Sequence, residues 1–391
     1  MDEDILTTGR SLVGFATEDE FAEQHFQSLV GFLRTKFVEP LPPPLPDHLL
    51  ELIDNKHRYY AEYRFAIVAY PPEQVRQADL EELGIVFVEP ERVVRTNAPA
   101  LLGVKVVTVQ PMTPGLKDTG VDLSSFSGEN IRIAVLDTGF DFSHLDFPAN
   151  RFEDKETFVP EPVNDPTNGH GTHTTGTACG PLTSQGAGTR YGIAYESKIL
   201  VARVLNVAGM GVDRSVLEGM MWVETKKVDV ALMCFGTPVK KGMPFSQCYE
   251  RVAKRMAVRT VVIASAGNSG NSKKTVPVEH PANCPSIGAV ASVKGNFDRS
   301  AFSCGTVNAG GGEADIAGPG EGVLSSVPGS TYVAAEGTSM AAAHVAGITA
   351  LWAEKLPAQH GTALWTTVIG GAAPKASIPK AFSGVLVTAP K

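Results

Sequence analysis

The chain has 391 residues, 43% hydrophobic and 19% charged, which can fill the cores of about two domains and excludes a disordered polymer. Its 34 basic and 42 acidic residues leave a net charge of −8. Without a Lys/Arg block, that balance disfavours nucleic acid and anionic membranes as partners. Five cysteines, at 179, 234, 248, 284 and 304, are odd in number and include no CxxC pair. This argues against a disulfide framework and a structural zinc site, leaving reduced, mostly buried thiols. No apolar run reaches the ~18 residues of a membrane span. The acidic start Met1-Asp2-Glu3-Asp4 lacks the basic and apolar regions of a secretory signal. The expected location is a reducing compartment, cytoplasmic rather than secreted.

The first hundred residues read as a small α+β unit. Ser28–Leu33 looks like a short strand. The proline cluster Pro40, Pro42, Pro43, Pro44 and Pro46 reads as a stiff extended connection. A helix opens over Asp47–Ile53, and a strand-like run follows at Arg64–Tyr70. A helix from about Pro72 to Leu83, with proline near its first position, leads to a strand at Ile85–Val88. Arg92–Pro99 looks like an exposed tether.

From about Gly128 the pattern changes. Ile131–Leu136, Val228–Phe235 and Val261–Ala266 are short, nearly continuous apolar runs, separated by helix-like stretches such as Asp213–Thr225. Continuous hydrophobicity predicts strands buried on both faces, hence a parallel sheet flanked by helices. In such sheets, sites gather at the carboxyl ends of strands.

Four segments put chemistry at such ends. Asp137-Thr138-Gly139 follows the run Ile131–Leu136, and a carboxylate there is costly unless paired. Asp118-Thr119-Gly120 repeats the triplet found in aspartic proteases. The copies lie too close to come from two lobes, and Asp118 lacks the apolar strand. Asn168–Ala178 sets His170 and His173 among small residues and glycines, which suits close approach to a histidine ring. It has no HExxH and no carboxylate partner for zinc. Val261–Gly270 ends a buried strand in a turn holding Ser265, Ala266, Gly267 and Asn268; alone, Asn268 is a turn residue. Gly337–Gly347 reads as a buried small-residue helix starting near Ser339, either a cap or a nucleophile whose own N–H faces an oxyanion. Taken together, Asp137, His170 and Ser339 occur in a known chain order for a hydrolytic triad.

The segments VLDTGFDFSHLDF (135–147), NGHGTHTTGTA (168–178), SAGNSG (265–270) and GTSMAAAHVAG (337–347) resemble those of the subtilisin-like serine proteases, the subtilases. The match runs from about Gly128 to Leu356. It implies a serine endopeptidase acting on polypeptides without a cofactor, with Ser339 as nucleophile, His170 as base, Asp137 orienting the imidazole, and Asn268 with the Ser339 N–H as oxyanion hole. It implies a substrate groove lined by Cys234, Phe235, Gly236, Ser265, Ala266 and Gly267, and a structural role for His173. Residues 25–95 resemble a subtilase propeptide of ferredoxin-like α+β form, an intramolecular inhibitor. The expected organisation is an extension (1–24), a propeptide (25–95), a linker (96–127) and a catalytic domain (128–391), cut near residues 90–105.

The chain departs from the family at several points. Ala343 replaces a usual proline, and Met233-Cys234-Phe235-Gly236 replaces the usual Ser-Leu-Gly strand. Asp146 matches a calcium ligand of many subtilases, yet the loop Gly180–Tyr191 that should complete the site has no carboxylate. Glu279 falls at the base of the pocket for the residue before the cut. A carboxylate there favours Arg or Lys, compatible with self-cleavage after Arg95; the alternative is a rim glutamate in water. A competing expectation for the whole chain is a subtilase-like scaffold that no longer cleaves.

Overall fold

The computed structural model describes residues 5–16, 20–38, 45–96, 110–308 and 310–391. The proline positions 40–44 and the tether beyond residue 96 lie outside the described residues. The amino-terminal part contains β1 (Thr7–Phe15), α1 (Ala22–Lys36), α2 (Asp47–Leu50), β2 (Arg58–Tyr60), β3 (Phe65–Val68), α3 (Pro72–Val75) and β4 (Ile85–Arg95). Its strands pair antiparallel in the order β2-β3-β1-β4, the ferredoxin-like arrangement.

Several boundaries differ from the sequence expectation. Residues 7–15 form an inner strand of this sheet, so the small domain begins well before residue 25. Ser28–Leu33 lies inside a helix, not a strand. Ala22, Phe26, Leu29, Val30 and Leu33 are buried at helical spacing, and a short apolar run cannot by itself distinguish the two. The helix expected over Pro72–Leu83 stops at Val75. The expected tether starts inside β4: Arg92, Val93 and Val94 are buried.

The larger part contains α4 (Pro114–Asp118), β5 (Arg132–Asp137), β6 (Phe152–Thr157), α5 (His170–Cys179), β7 (Lys198–Arg203), β8 (Met210–Val212), α6 (Asp213–Lys226), β9 (Val230–Met233), α7 (Gln247–Met256), β10 (Val261–Ser265), β11 (Gly288–Val293), β12 (Ile316–Pro319), β13 (Val323–Val327), β14 (Thr331–Ala335), α8 (Thr338–Lys355), α9 (Gly361–Gly371), β15 (Ala373–Pro374) and β16 (Val385–Leu386). Nine strands form one sheet in the order β15-β16-β12-β11-β10-β9-β5-β7-β6. All neighbours are parallel except the β15–β16 edge pair. Central strands such as β9 and β10 are buried along their whole length, as their continuous apolar runs require. The tail beyond Leu356 completes this sheet through β15 and β16.

One face of the sheet packs with α8 through a core that includes Ile133, Ile263, Ala342 and Leu351. The other face packs with α6 and α7, and that core also takes Leu12, Phe65, Ile67 and Val94 from the small domain. All five cysteines are unpaired and buried. No helix among the described residues is long and apolar enough to cross a membrane.

Candidate active site

Asp137 ends β5 and His170 opens α5, so both lie at the carboxyl edge of the sheet. His170 Nδ1 lies 2.8 Å and 2.9 Å from the two Asp137 oxygens. Asp137 also accepts from the Thr138 N–H at 2.7 Å and the Thr174 hydroxyl at 3.1 Å. The buried carboxylate is therefore fully paired, as its burial demands. The close approach needs glycine: a methyl on Gly171 would sit 2.2 Å from the Gly139 carbonyl oxygen and 3.2 Å from Asp137 Cβ. His170 Nε2 is buried with no hydrogen-bond partner. His173 lies on the same helix facing the β13–β14 hairpin, its Nε2 3.1 Å from the Val323 carbonyl. Burial, and then the charge of His170, push its pKa down to about 4.

Ser339 is the second residue of α8. At that position its N–H has no acceptor within the helix. Its Oγ donates to the Cys234 carbonyl at 3.3 Å. The Thr338 N–H and hydroxyl both donate to Asn268 Oδ1 at 2.9 Å. With Oδ1 committed, the amide turns its Nδ2 end to donate elsewhere. Sequence reasoning missed Thr338, although it stands beside Ser339 in the quoted motif. Cys234 is wholly buried, its thiol donates to the Ser339 carbonyl at 3.4 Å, and burial raises its pKa well above the ordinary range. That environment makes a packed thiol rather than a reactive one.

Glu279 is not a rim residue; it is fully buried. Its Oε1 accepts from the Ser269 hydroxyl at 2.7 Å and N–H at 3.3 Å. A methyl on Gly236 would lie 2.8 Å from its Oε2, and one on Gly267 would lie 2.3 Å from its carboxyl carbon. The carboxylate thus sits between the two glycines expected to line the groove. Phe235, Ser265 and Ala266 are buried around the same strand ends.

The cleft is filled by the end of β4. It pairs with β8 on one side, Arg95 opposite Met210. On that same side the Thr96 N–H donates to the Gly209 carbonyl at 2.8 Å, and on the other side Arg95 exchanges two hydrogen bonds with Gly236, at 3.0 and 2.9 Å. In an antiparallel ladder a chain advances one residue for each the partner retreats. An extended peptide continuing this ladder would bring the residue two beyond the Gly236 partner opposite Cys234, whose carbonyl accepts from Ser339 Oγ. Arg95 itself is two positions short of that point, so a cut directly after Arg95 does not follow from the register. Further up the strand, the Gln247 N–H donates to Glu89 at 2.6 Å and the Arg214 N–H to Glu91 at 3.2 Å. These carboxylates cap the amino ends of α7 and α6. Nothing in the sequence alone marked these caps.

Asp146 does not fit a calcium ligand. Its oxygens accept from the Tyr191 hydroxyl at 2.7 Å, the Tyr332 hydroxyl at 2.9 Å, the Ser184 hydroxyl at 2.8 Å and the Gln185 N–H at 2.6 Å. The loop brings hydrogen-bond donors where a hard cation needs several oxygen ligands. No group of three or more His, Cys, Asp or Glu side chains suited to a metal occurs among the described residues.

Comparison with known proteins agrees with this geometry. The model of the subtilase family matches residues 128–382. Subtilisin DY of Bacillus licheniformis is 34% identical over 251 residues, covering 64% of this chain and 86% of that protein. An intracellular serine protease of Paenibacillus polymyxa is 36% identical over 230 residues, covering 57% of this chain and 67% of the relative. A crystal structure of a cold-adapted subtilisin-like serine proteinase superposes with a TM-score of 0.60 at 25% identity, over 72% of this chain and all of that one. The chain belongs to the subtilase family and is a subtilisin-like serine peptidase, a hydrolase.

Proposed function

We propose that this peptidase is made as a self-inhibited zymogen, with Asp137, His170 and Ser339 as its triad and the ferredoxin-like domain as its intramolecular inhibitor. The observation that carries this is the two-sided backbone pairing of Arg95, which holds β4 in the cleft as an extended peptide would lie. Ser339 Oγ turns from the Cys234 carbonyl to donate to His170 Nε2 and attacks the carbonyl carbon of the residue opposite Cys234. His170 takes the hydroxyl proton and Asp137 stabilises the imidazolium. Asn268 Nδ2 and the Ser339 N–H receive the oxyanion. The C–N bond breaks as His170 gives the proton to the leaving amine; water, deprotonated by His170, then attacks the acyl carbon, and the C–Oγ bond breaks as His170 returns that proton to Ser339.

Counted along the chain's own sequence, the residue two beyond Arg95 is Asn97. The expected cut is the Asn97–Ala98 bond, in residues outside those described. For other substrates, the buried carboxylate of Glu279 supports a preference for Arg or Lys before the cut. An active-site fluorophosphonate probe tests the peptidase: it labels the processed wild type and not Ser339→Ala. Equal failure to label both indicates a scaffold that does not cleave.

A further inference from the structure

β4 carries an arginine into the upstream end of the cleft. Arg92 is buried. Its Nη1 lies 3.5 Å from Asp213 Oδ2 and 3.5 Å from Glu89 Oε2, and its backbone N–H donates to Asp213 Oδ2 at 2.8 Å. Asp213 is the first residue of α6 and is fully buried. Its other oxygen is held from within the large domain: the Tyr249 hydroxyl donates to Oδ1 at 3.0 Å and His280 Nε2 lies 3.3 Å from it. The Tyr249 and His280 rings meet edge to face at 4.4 Å. One carboxylate oxygen is thus anchored by permanent partners. The other faces whichever strand occupies the cleft.

Burial alone raises the pKa of a carboxylate, but His280 and Arg92 more than offset this and hold Asp213 below the ordinary range. An ionised carboxylate in this position is costly once its cation is removed. When β4 leaves, Glu89 and Arg92 leave with it, while Asp213, Tyr249 and His280 stay. A substrate running the same ladder brings its own side chain to the place of Arg92.

We propose that Asp213 forms a cation-selective substrate subsite, taking an Arg or Lys side chain on the sixth residue to the amino side of the cut bond. The count follows from the ladder: Arg92 is three residues before the Gly236 partner, and the residue whose carbonyl is attacked is two after it. The subsite rests on the peptidase reading above. Arg92 occupies it in the uncut chain, so the inhibitor strand and a favoured substrate share one recognition feature.

The test uses the processed wild-type enzyme and a set of blocked peptides identical except for Arg, Lys, Ala or Glu at that sixth position. Arg and Lys peptides are expected to exceed the Ala peptide about tenfold in kcat/KM, mainly through KM, with Glu below Ala. The advantage should shrink as salt is raised. In Asp213→Asn the Arg-to-Ala ratio should fall toward one. Equal kcat/KM for Arg and Ala peptides that the wild type does cleave overturns the subsite, whether or not the variant folds. Absence of all cleavage together with absence of fluorophosphonate labelling overturns the peptidase reading, and the subsite with it.

Discussion

The two ends of the cleft are built differently. At the nucleophile end, Asp137 is held by Thr138, His170 and Thr174, and Asn268 by Thr338, all within the large domain. At the upstream end the carboxylates also reach across the joint between domains: Glu89 accepts from the Gln247 N–H, Glu91 from the Arg214 N–H besides Arg10 and Thr8 of its own domain, and Asp213 from the Arg92 N–H besides Tyr249 of its own. The first end is preorganised for chemistry whether or not the cleft is filled. The second is completed only by an occupant. Substitutions at the nucleophile end should therefore change turnover, and those toward the other end should change selection.

The sharpest way to break this contrast is Asn268→Ala. Loss of an oxyanion donor should lower kcat by about 10²–10³-fold, the range known for the corresponding donor of subtilisin itself, with KM nearly unchanged. A loss carried instead by KM in steady-state kinetics would place Asn268 among the binding groups. Glu279→Gln should leave kcat on neutral peptides close to wild type and cut the Arg-or-Lys preference before the scissile bond roughly tenfold or more. An unchanged preference in peptide profiling removes Glu279 from the pocket.

A graded effect on stability rather than on rate comes from buried histidines on α5 and α8. Burial pushes the pKa values of His173 and His344 down to about 4, below the ~6.5 of an unfolded chain. As pH falls below ~6.5 the unfolded chain binds protons that the folded one refuses, so stability is complete above that pH and drains away toward pH 4. The loss is on the order of 3 kcal/mol for each residue by pH 4. His280, also held neutral by burial, adds a loss of the same sign. Asp213, whose pKa is lowered, keeps its contribution until the pH drops below the ordinary carboxylate range. The thermal midpoint should therefore decline steadily between pH 6.5 and 4.5; a flat profile contradicts the neutral buried rings.

The same contrast explains what sequence alone could show. Asp137, His170, Asn268 and Ser339 are legible because close approach leaves a mark in composition: Gly171, Gly267 and the alanines of α8 are small for packing reasons. The continuous apolar runs of β5, β9 and β10 likewise announce a sheet buried on both faces. Thr7–Phe15 is not legible, since polar and small residues fill its first half and no period marks it as a strand. Glu89, Glu91, Arg92 and Asp213 read as ordinary surface letters, because their roles exist only once two distant segments pair. Calcium at Asp146 fails for a related reason. The motif supplies the carboxylate, but Tyr191, Tyr332 and the Ser184–Gln185 turn decide what it binds.

The most direct test of the central claim, that β4 leads the chain's own backbone to Ser339, is amino-terminal sequencing of the full chain expressed as wild type and as Ser339→Ala. The expected result is a new amino terminus at Ala98 in the wild type, with the two fragments purifying together, and an intact chain in the variant. The same cut in both proteins, or none in either, would contradict it.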